Sequence, residues 1–167
     1  ISVGFTLLSF LSAMALLVLA IVGEPSQAVG LGRDWGIILF DPLSSLMAVV
    51  ISGISLIVHL YSVRYMAEET GYARFFVMLD FMTAALLLMV AAGDLITLFM
   101  FWELMAIGST VVIFAAGTDA AARAAFRYLL VHLLGGVVLM AGIVAHWAAT
   151  GSLAVQALEP NSLGTAL

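Results

Sequence analysis

The stretch Leu95-Ile96-Thr97-Leu98-Phe99-Met100-Phe101-Trp102-Glu103-Leu104-Met105-Ala106-Ile107-Gly108-Ser109-Thr110-Val111-Val112-Ile113-Phe114-Ala115-Ala116 decides the fold. A helix that crosses a bilayer needs about 20 mostly apolar residues. This run meets that length and carries one charge, Glu103. At a rise of about 1.5 Å per residue, Glu103 lies about 13 Å along the helix. The apolar core is about 30 Å thick, so Glu103 sits near the midplane. A carboxylate there is costly unless it stays neutral, meets a cation or serves ion traffic.

Working outward, four more runs have the same character, roughly at residues 3–22, 43–63, 75–93 and 124–148. The run at 43–63 holds His59, that at 75–93 Asp80 and that at 124–148 His132. Breaks fall where backbone chemistry permits them. Gly23, Pro25, Gly30, Gly32 and Pro42 punctuate the first loop. Residues 64–74, with Glu68, Glu69 and Gly71, form a polar loop. Gly93-Asp94 is a tight turn, with Asp94 placed to cap the next helix. Residues 117–122 form another loop, and 151–161 a weakly polar tail.

Composition supports a lipid environment. Of the 167 residues 65% are hydrophobic and 9% charged, and the mean hydropathy is +1.24. A soluble domain of this size carries more polar surface. The fold class is therefore all-α, a polytopic membrane helix bundle with five transmembrane helices. Residues 1–167 read as one transmembrane domain, part of a longer subunit. The first apolar run is too long for a signal-peptide core and has no basic flank. The absence of cysteine excludes thiolate metal sites and disulfides within this sequence. The net charge of −5 excludes nucleic acid as a partner.

All five basic residues are Arg. Consecutive loops alternate sides, so Arg64, Arg74, Arg123 and Arg127 share one side and Arg33 stands on the other. Basic residues stay cytoplasmic. The loops near 64–74 and 117–127 are thus expected in the cytoplasm, and those near 24–42 and 93–94 outside.

Helical spacing groups the polar residues into stripes. Ser45, Ser52, Ser55, His59 and Ser62 share one face, Asp80, Thr83 and Ala84 another, and Tyr128, His132, Gly135 and Gly136 a third. His132 lies about 12 Å from its cytoplasmic end, level with Glu103; Asp80 and His59 lie about 8 Å in. The expected picture is a mid-membrane pair and a shallower cytoplasmic pair. Structural roles compete with this picture. Ser and Gly stripes also serve as packing seams, His59 can reach the headgroups, Asp80 can pair with Arg64 or Arg74, and His132 can simply bond across helices. Trp102 and Trp147 read as packing or interfacial anchors.

The segment Gly93 to Met105, above all Phe101-Trp102-Glu103-Leu104, resembles the Glu-bearing helix of the antiporter-like subunits shared by Mrp-type multisubunit Na+/H+ antiporters and respiratory complex I. Three other segments are similar to the same family. They are Asp41-Pro42-Leu43-Ser44, then His59 to Met66 followed by Tyr72 to Phe76, and Arg127 to Gly136. The Glu103 stretch leans toward the Mrp D-type subunit. The resemblance implies that these spans are the family's helices 2 to 6. It also implies that Glu103 works with a helix-7 Lys, which must come from outside this Lys-free sequence.

Together these readings predict a proton-translocating membrane subunit of a multisubunit cation/proton antiporter, located in the cell inner membrane as an integral multi-pass protein. Its partners would be the lipid bilayer, other membrane subunits, protons and Na+. Glu103 would be the central site, His132 the next station, and His59 and Asp80 the lining of a cytoplasmic approach. No organic cofactor or metal is expected. The rivals are a complex I-type redox pump, an inorganic-carbon uptake complex and a purely structural subunit. A haem enzyme is disfavoured because His59 and His132 differ in expected depth.

Overall fold

The computed structural model describes residues 2–23, 27–30, 36–68, 71–115 and 117–155. Pro25, Gly32, Arg33, Glu69, Ala116 and the tail from residue 156, all named above, lie outside them. The elements run α1 (Ser2–Val22), β1 (Gln27–Gly30), β2 (Ile37–Phe40), α2 (Pro42–Tyr65), α3 (Tyr72–Val90), α4 (Leu95–Phe114) and α5 (Asp119–Thr150). All five helices are long and apolar enough to cross a membrane. They expose large apolar side chains such as Ile57, Val131, Leu134 and Val138. Bilayer or neighbouring helices, not water, suit such surfaces.

Each helix start has a local cause. Asp41 caps α2 through a reciprocal box: the Ser44 amide donates to its carboxylate at 2.6 Å, and the Asp41 amide donates to Ser44 Oγ at 2.9 Å. Pro42 follows at the first turn, where no amide hydrogen is needed. Thr118 caps α5 by accepting from the Ala121 amide at 3.1 Å. That cap starts α5 five residues before the expected 124, and Gly151, left-handed at φ 69°, ends it. Ala120 to Ala122 carry no turn chemistry, so the helix extends outward past the apolar run.

Neighbours in sequence pack together: α1 on α2, α2 on α3, α3 on α4 and α4 on α5. The α3–α4 contact is close because Gly108 has no side chain; a Cβ there would lie 2.6 Å from Met82 Cγ. The serine stripe of α2 is buried as expected: Ser45, Ser52, Ser55, His59 and Ser62 all face the bundle.

The first loop differs from the expected irregular connection. It contains an antiparallel hairpin pairing Gln27 with Phe40 through Gly30 with Ile37. Strand β2 continues its hydrogen bonding onto the α3–α4 turn, with Leu39 N donating to Ala91 O at 2.6 Å and Gly93 N to Ile37 O at 2.7 Å. The turn in turn bonds to the segment after α5, through Leu95 N to Leu153 O at 2.8 Å and Val155 N to Gly93 O at 3.0 Å. Three connections thus lie at one end of the bundle, as an alternating up-and-down path requires. The pairing runs through backbone atoms, which leave no side-chain pattern in a loop that reads as Gly- and Pro-punctuated.

Asp94 holds that end together. Its carboxylate accepts from the Thr97 amide at 2.7 Å, Thr97 Oγ1 at 2.6 Å and the Ile37 amide at 2.8 Å. Burial pushes its carboxyl up, but the Thr97, Ile37 and Ile96 hydrogen bonds outweigh burial and hold it below the usual value. A lowered folded pKa means that this contribution is present above the ordinary carboxylate value of about 3.9 and is lost as pH falls through the folded one.

Candidate functional site

Glu103 on α4 and His132 on α5 come together as expected, with His132 Nε2 3.9 Å from Glu103 Oε1. The side chains are 26% and 8% exposed. The distance exceeds a hydrogen bond, so a movement of about 1 Å by either group makes or leaves a direct bond. Because α5 starts at Asp119, His132 lies about 20 Å along it rather than about 12 Å. Glu103 is about 12 Å into an antiparallel α4 about 30 Å long, so the two still meet at one level.

Trp102, read as an anchor, belongs to this site. Its ring stacks on His132 with centroids 5.3 Å apart and planes 27° apart, and Tyr128 lies 6.1 Å from His132 on similar planes. A proton on His132 would therefore meet one carboxylate and two aromatic rings. Trp102 Nε1, Glu103 Oε1 and His132 Nε2 are buried without a hydrogen-bond partner among the described residues. Three such atoms in one place are uncommon in a purely structural core. Only the crossing of α4 and α5 reveals the Trp102–His132 stack; nothing in residue spacing signals it.

Gly136 makes room for the pair. A Cβ at Gly136 would overlap Glu103 Oε1 and lie 3.3 Å from Cδ. Gly135, expected on the same face, is instead exposed and would place a Cβ against nothing. The helical rotation of 100° between neighbours admits only one of two adjacent glycines to the seam.

His59 and Asp80 form the second pair. His59 Nε2 is 3.0 Å from Asp80 Oδ1, with side chains 0% and 37% exposed. Ser2 Oγ donates to Asp80 Oδ2 at 2.6 Å. His59 is therefore not a headgroup residue. Among the described residues neither Arg64 nor Arg74 pairs with Asp80. Asp80 lies about 12 Å along α3, deeper than about 8 Å, because α3 starts at Tyr72. Thr83 is buried beside it, while Ala84 is exposed at the rim of a neighbouring groove.

A bundle of five apolar helices that holds two carboxylate–imidazole pairs within its spans is an integral, multi-pass membrane protein built around titratable groups. Residues 31–76 match the family described as NADH-Ubiquinone oxidoreductase (complex I), chain 5 N-terminus, and residues 92–165 match NADH:quinone oxidoreductase/Mrp antiporter, TM. The chain belongs to this antiporter-like subunit family, shared by Mrp antiporters and complex I. It is 46% identical over 127 residues to "Probable inorganic carbon transporter subunit DabB1" of Halothiobacillus neapolitanus, covering 74% of this chain and 22% of that protein. It is 36% identical over 115 residues to the chloroplastic NAD(P)H-quinone oxidoreductase subunit 5 of Mutisia acuminata, covering 68% and 16%. The chain thus spans about a fifth of the length of the curated relatives it matches.

Two solved assemblies share the fold. One is the archaeal membrane-bound sulfane sulfur reductase, a respiratory membrane complex, with a TM-score of 0.81 at 22% identity over 92% of this chain and 32% of that one. The other is the Mrp complex from Dietzia sp. DQ12-45-1b, with a TM-score of 0.72 at 22% identity over 99% of this chain and 22% of that one.

Proposed function

We propose that the chain is the proton-handling part of a membrane subunit that moves protons within a larger complex in the cell inner membrane. The observation that carries this reading is the Glu103–His132 pair: two titratable groups 3.9 Å apart at the level where an ionised group costs most. Glu103 accepts and releases the proton, and His132, the titratable group nearest to it among the described residues, is the neighbouring station. The cationic partner of Glu103 is a Lys supplied from outside this sequence, as the family resemblance implies. His59 and Asp80 line the cytoplasmic approach.

Proton movement is common to several couplings. The first is exchange for Na+, in line with the Mrp-like fold. The 46% identical relative favours a second, in which proton movement drives uptake of inorganic carbon. The two separate in one assay on the complete complex. Na+-driven proton flux in inverted vesicles supports exchange; its absence, with bicarbonate- or CO2-dependent flux present, supports carbon uptake.

Two tests belong here. The cysteine-free sequence allows single-cysteine labelling. Thr118→Cys is expected to react only from the cytoplasm and Gln27→Cys only from outside; the reverse sidedness would overturn the orientation. For the cytoplasmic approach, His59→Ala and Asp80→Asn are each expected to slow proton flux several-fold while a native gel shows normal assembly. Wild-type flux in both would return the pair to a packing role.

A further inference from the structure

The hydrogens around His59 can be counted one by one. Thr83 Oγ1 donates to Leu79 O at 2.9 Å. Ser55 Oγ lies 2.7 Å from Thr83 Oγ1, whose own hydrogen is committed, so Ser55 is the donor there. His59 Nδ1 lies 2.7 Å from the Ser55 carbonyl oxygen, which can only accept, so Nδ1 carries a hydrogen. Ser55 Oγ, 3.3 Å from Nδ1, then shares that same hydrogen as a second acceptor. A neutral imidazole with its hydrogen on Nδ1 presents a bare lone pair at Nε2. That lone pair faces Asp80 Oδ1 at 3.0 Å. Two lone pairs do not rest at hydrogen-bond distance, so a proton lies between them.

We propose that His59 and Asp80 form a second proton-binding site, which holds one shared proton and opens into a groove between α1 and α3. The proton is either on Oδ1, with both groups neutral, or on Nε2, as an imidazolium–carboxylate pair. Transfer between the two moves one proton and leaves the total charge unchanged. The carboxylate form is supported at its other oxygen by the Ser2 hydroxyl. The His59 ring is sealed on another side by the Phe76 ring at 5.7 Å.

Access follows from burial. His59 is fully enclosed and Asp80 is not. Asp80, Thr83, Ala84 and Leu87 of α3, with Phe5, Thr6 and Ser9 of α1, line a groove of about 240 Å³. The hydrogen-bonded string runs Asp80–His59–Ser55–Thr83, and Thr83 returns to the same groove one helical turn from Asp80. Among the described residues no hydrogen bond continues from it toward α4. The site therefore fills and empties through the groove. Facing it are Ser2 and Thr6 from α1, Ser55 from α2, and Phe76 and Thr83 from α3; none of these titrates in the physiological range.

The count of hydrogens does not depend on the proposed transport; only the purpose of the site rests on that reading. The test is solid-state NMR of the complete complex in lipid, with 15N-labelled histidine and His59→Gln identifying the signals. The expected spectrum at neutral pH shows a protonated Nδ1 and an Nε2 in a shared hydrogen bond that Asp80→Asn abolishes. A His59 with bare Nδ1 and its hydrogen on Nε2 would overturn the proposal. Access is read from hydrogen–deuterium exchange of the shared proton. Ala84→Phe, at an exposed position, should block the groove and slow that exchange at least tenfold; an unchanged rate would overturn the groove as the route. If the spectrum is as expected but Glu103→Gln leaves flux intact, the second site stands and the proposed transport fails.

Discussion

Glu103→Gln is expected to abolish proton flux in the complete complex while leaving assembly normal. Glutamine keeps the size and the hydrogen-bonding capacity of glutamate but loses the titratable proton and the charge. The Glu103 carboxylate has no hydrogen-bond partner at Oε1 among the described residues, so the fold has little to lose from the exchange. A site that carries a proton, or pairs with a cation, loses its chemistry altogether. Glu103→Asp keeps the charge but withdraws it by one methylene, about 1.5 Å further from His132, so it should retain partial activity. The measurement is gradient- or ion-driven proton flux in inverted vesicles beside a native gel. A Gln variant that assembles and transports at the wild-type rate would remove Glu103 from the centre of the mechanism.

Gly136→Ala is expected to do nearly as much damage by a different route. The new methyl group would occupy the space of Glu103 Oε1. The clash falls on the free end of a flexible side chain, so α4 and α5 keep their packing and Glu103 swings aside. The carboxylate then leaves His132, and misplacement by about 1 Å at a reacting centre lowers rates by about 10- to 100-fold. Gly135→Ala is the internal control, because a Cβ there meets nothing. Normal melting of both variants with flux lost only in Gly136→Ala is the expected pattern. Equal flux in the two would show that the Glu103 position is not critical.

Much of this architecture is legible in the sequence because the bilayer allows few solutions. Five apolar runs can only be helices, and the number of intervening loops fixes which helices run antiparallel. That is enough to put Glu103 and His132 at one depth, and His59 and Asp80 at another, without coordinates. The α2 serine stripe is equally readable, since a 3.6-residue period sends Ser45, Ser52, Ser55, His59 and Ser62 to one face. Rotation about the helix axis is harder. It decides that Gly136 and not Gly135 meets Glu103, and that Trp102 lies flat on His132 rather than at an interface. Helix ends are also hidden, because Asp119 to Arg123 extend α5 by more than a turn beyond the apolar run. The tie between β2 and the α3–α4 turn is least visible: its partners, Ile37 to Leu39 and Ala91 to Gly93, are far apart in sequence and joined by backbone atoms alone.

Those backbone ties give the α4–α5 pair a fixed pivot. Leu95 and Gly93, at the start of α4, are bonded to Leu153 and Val155, just beyond the end of α5. The connection at the opposite end passes through Gly117, a left-handed residue at φ 69°. Like the arms of a pair of tweezers, two helices tied in this way spread more readily away from the joined end than at it. Glu103 lies about 12 Å from the pivot on an arm about 29 Å long. Spreading the far tips by about 5 Å therefore separates Glu103 from His132 by about 2 Å, while a squeeze of only about 2 to 3 Å at the tips closes 3.9 Å to a direct hydrogen bond. A displacement at the far tips thus reaches the Glu103–His132 pair reduced to about two fifths of its size, a coarse movement made fine.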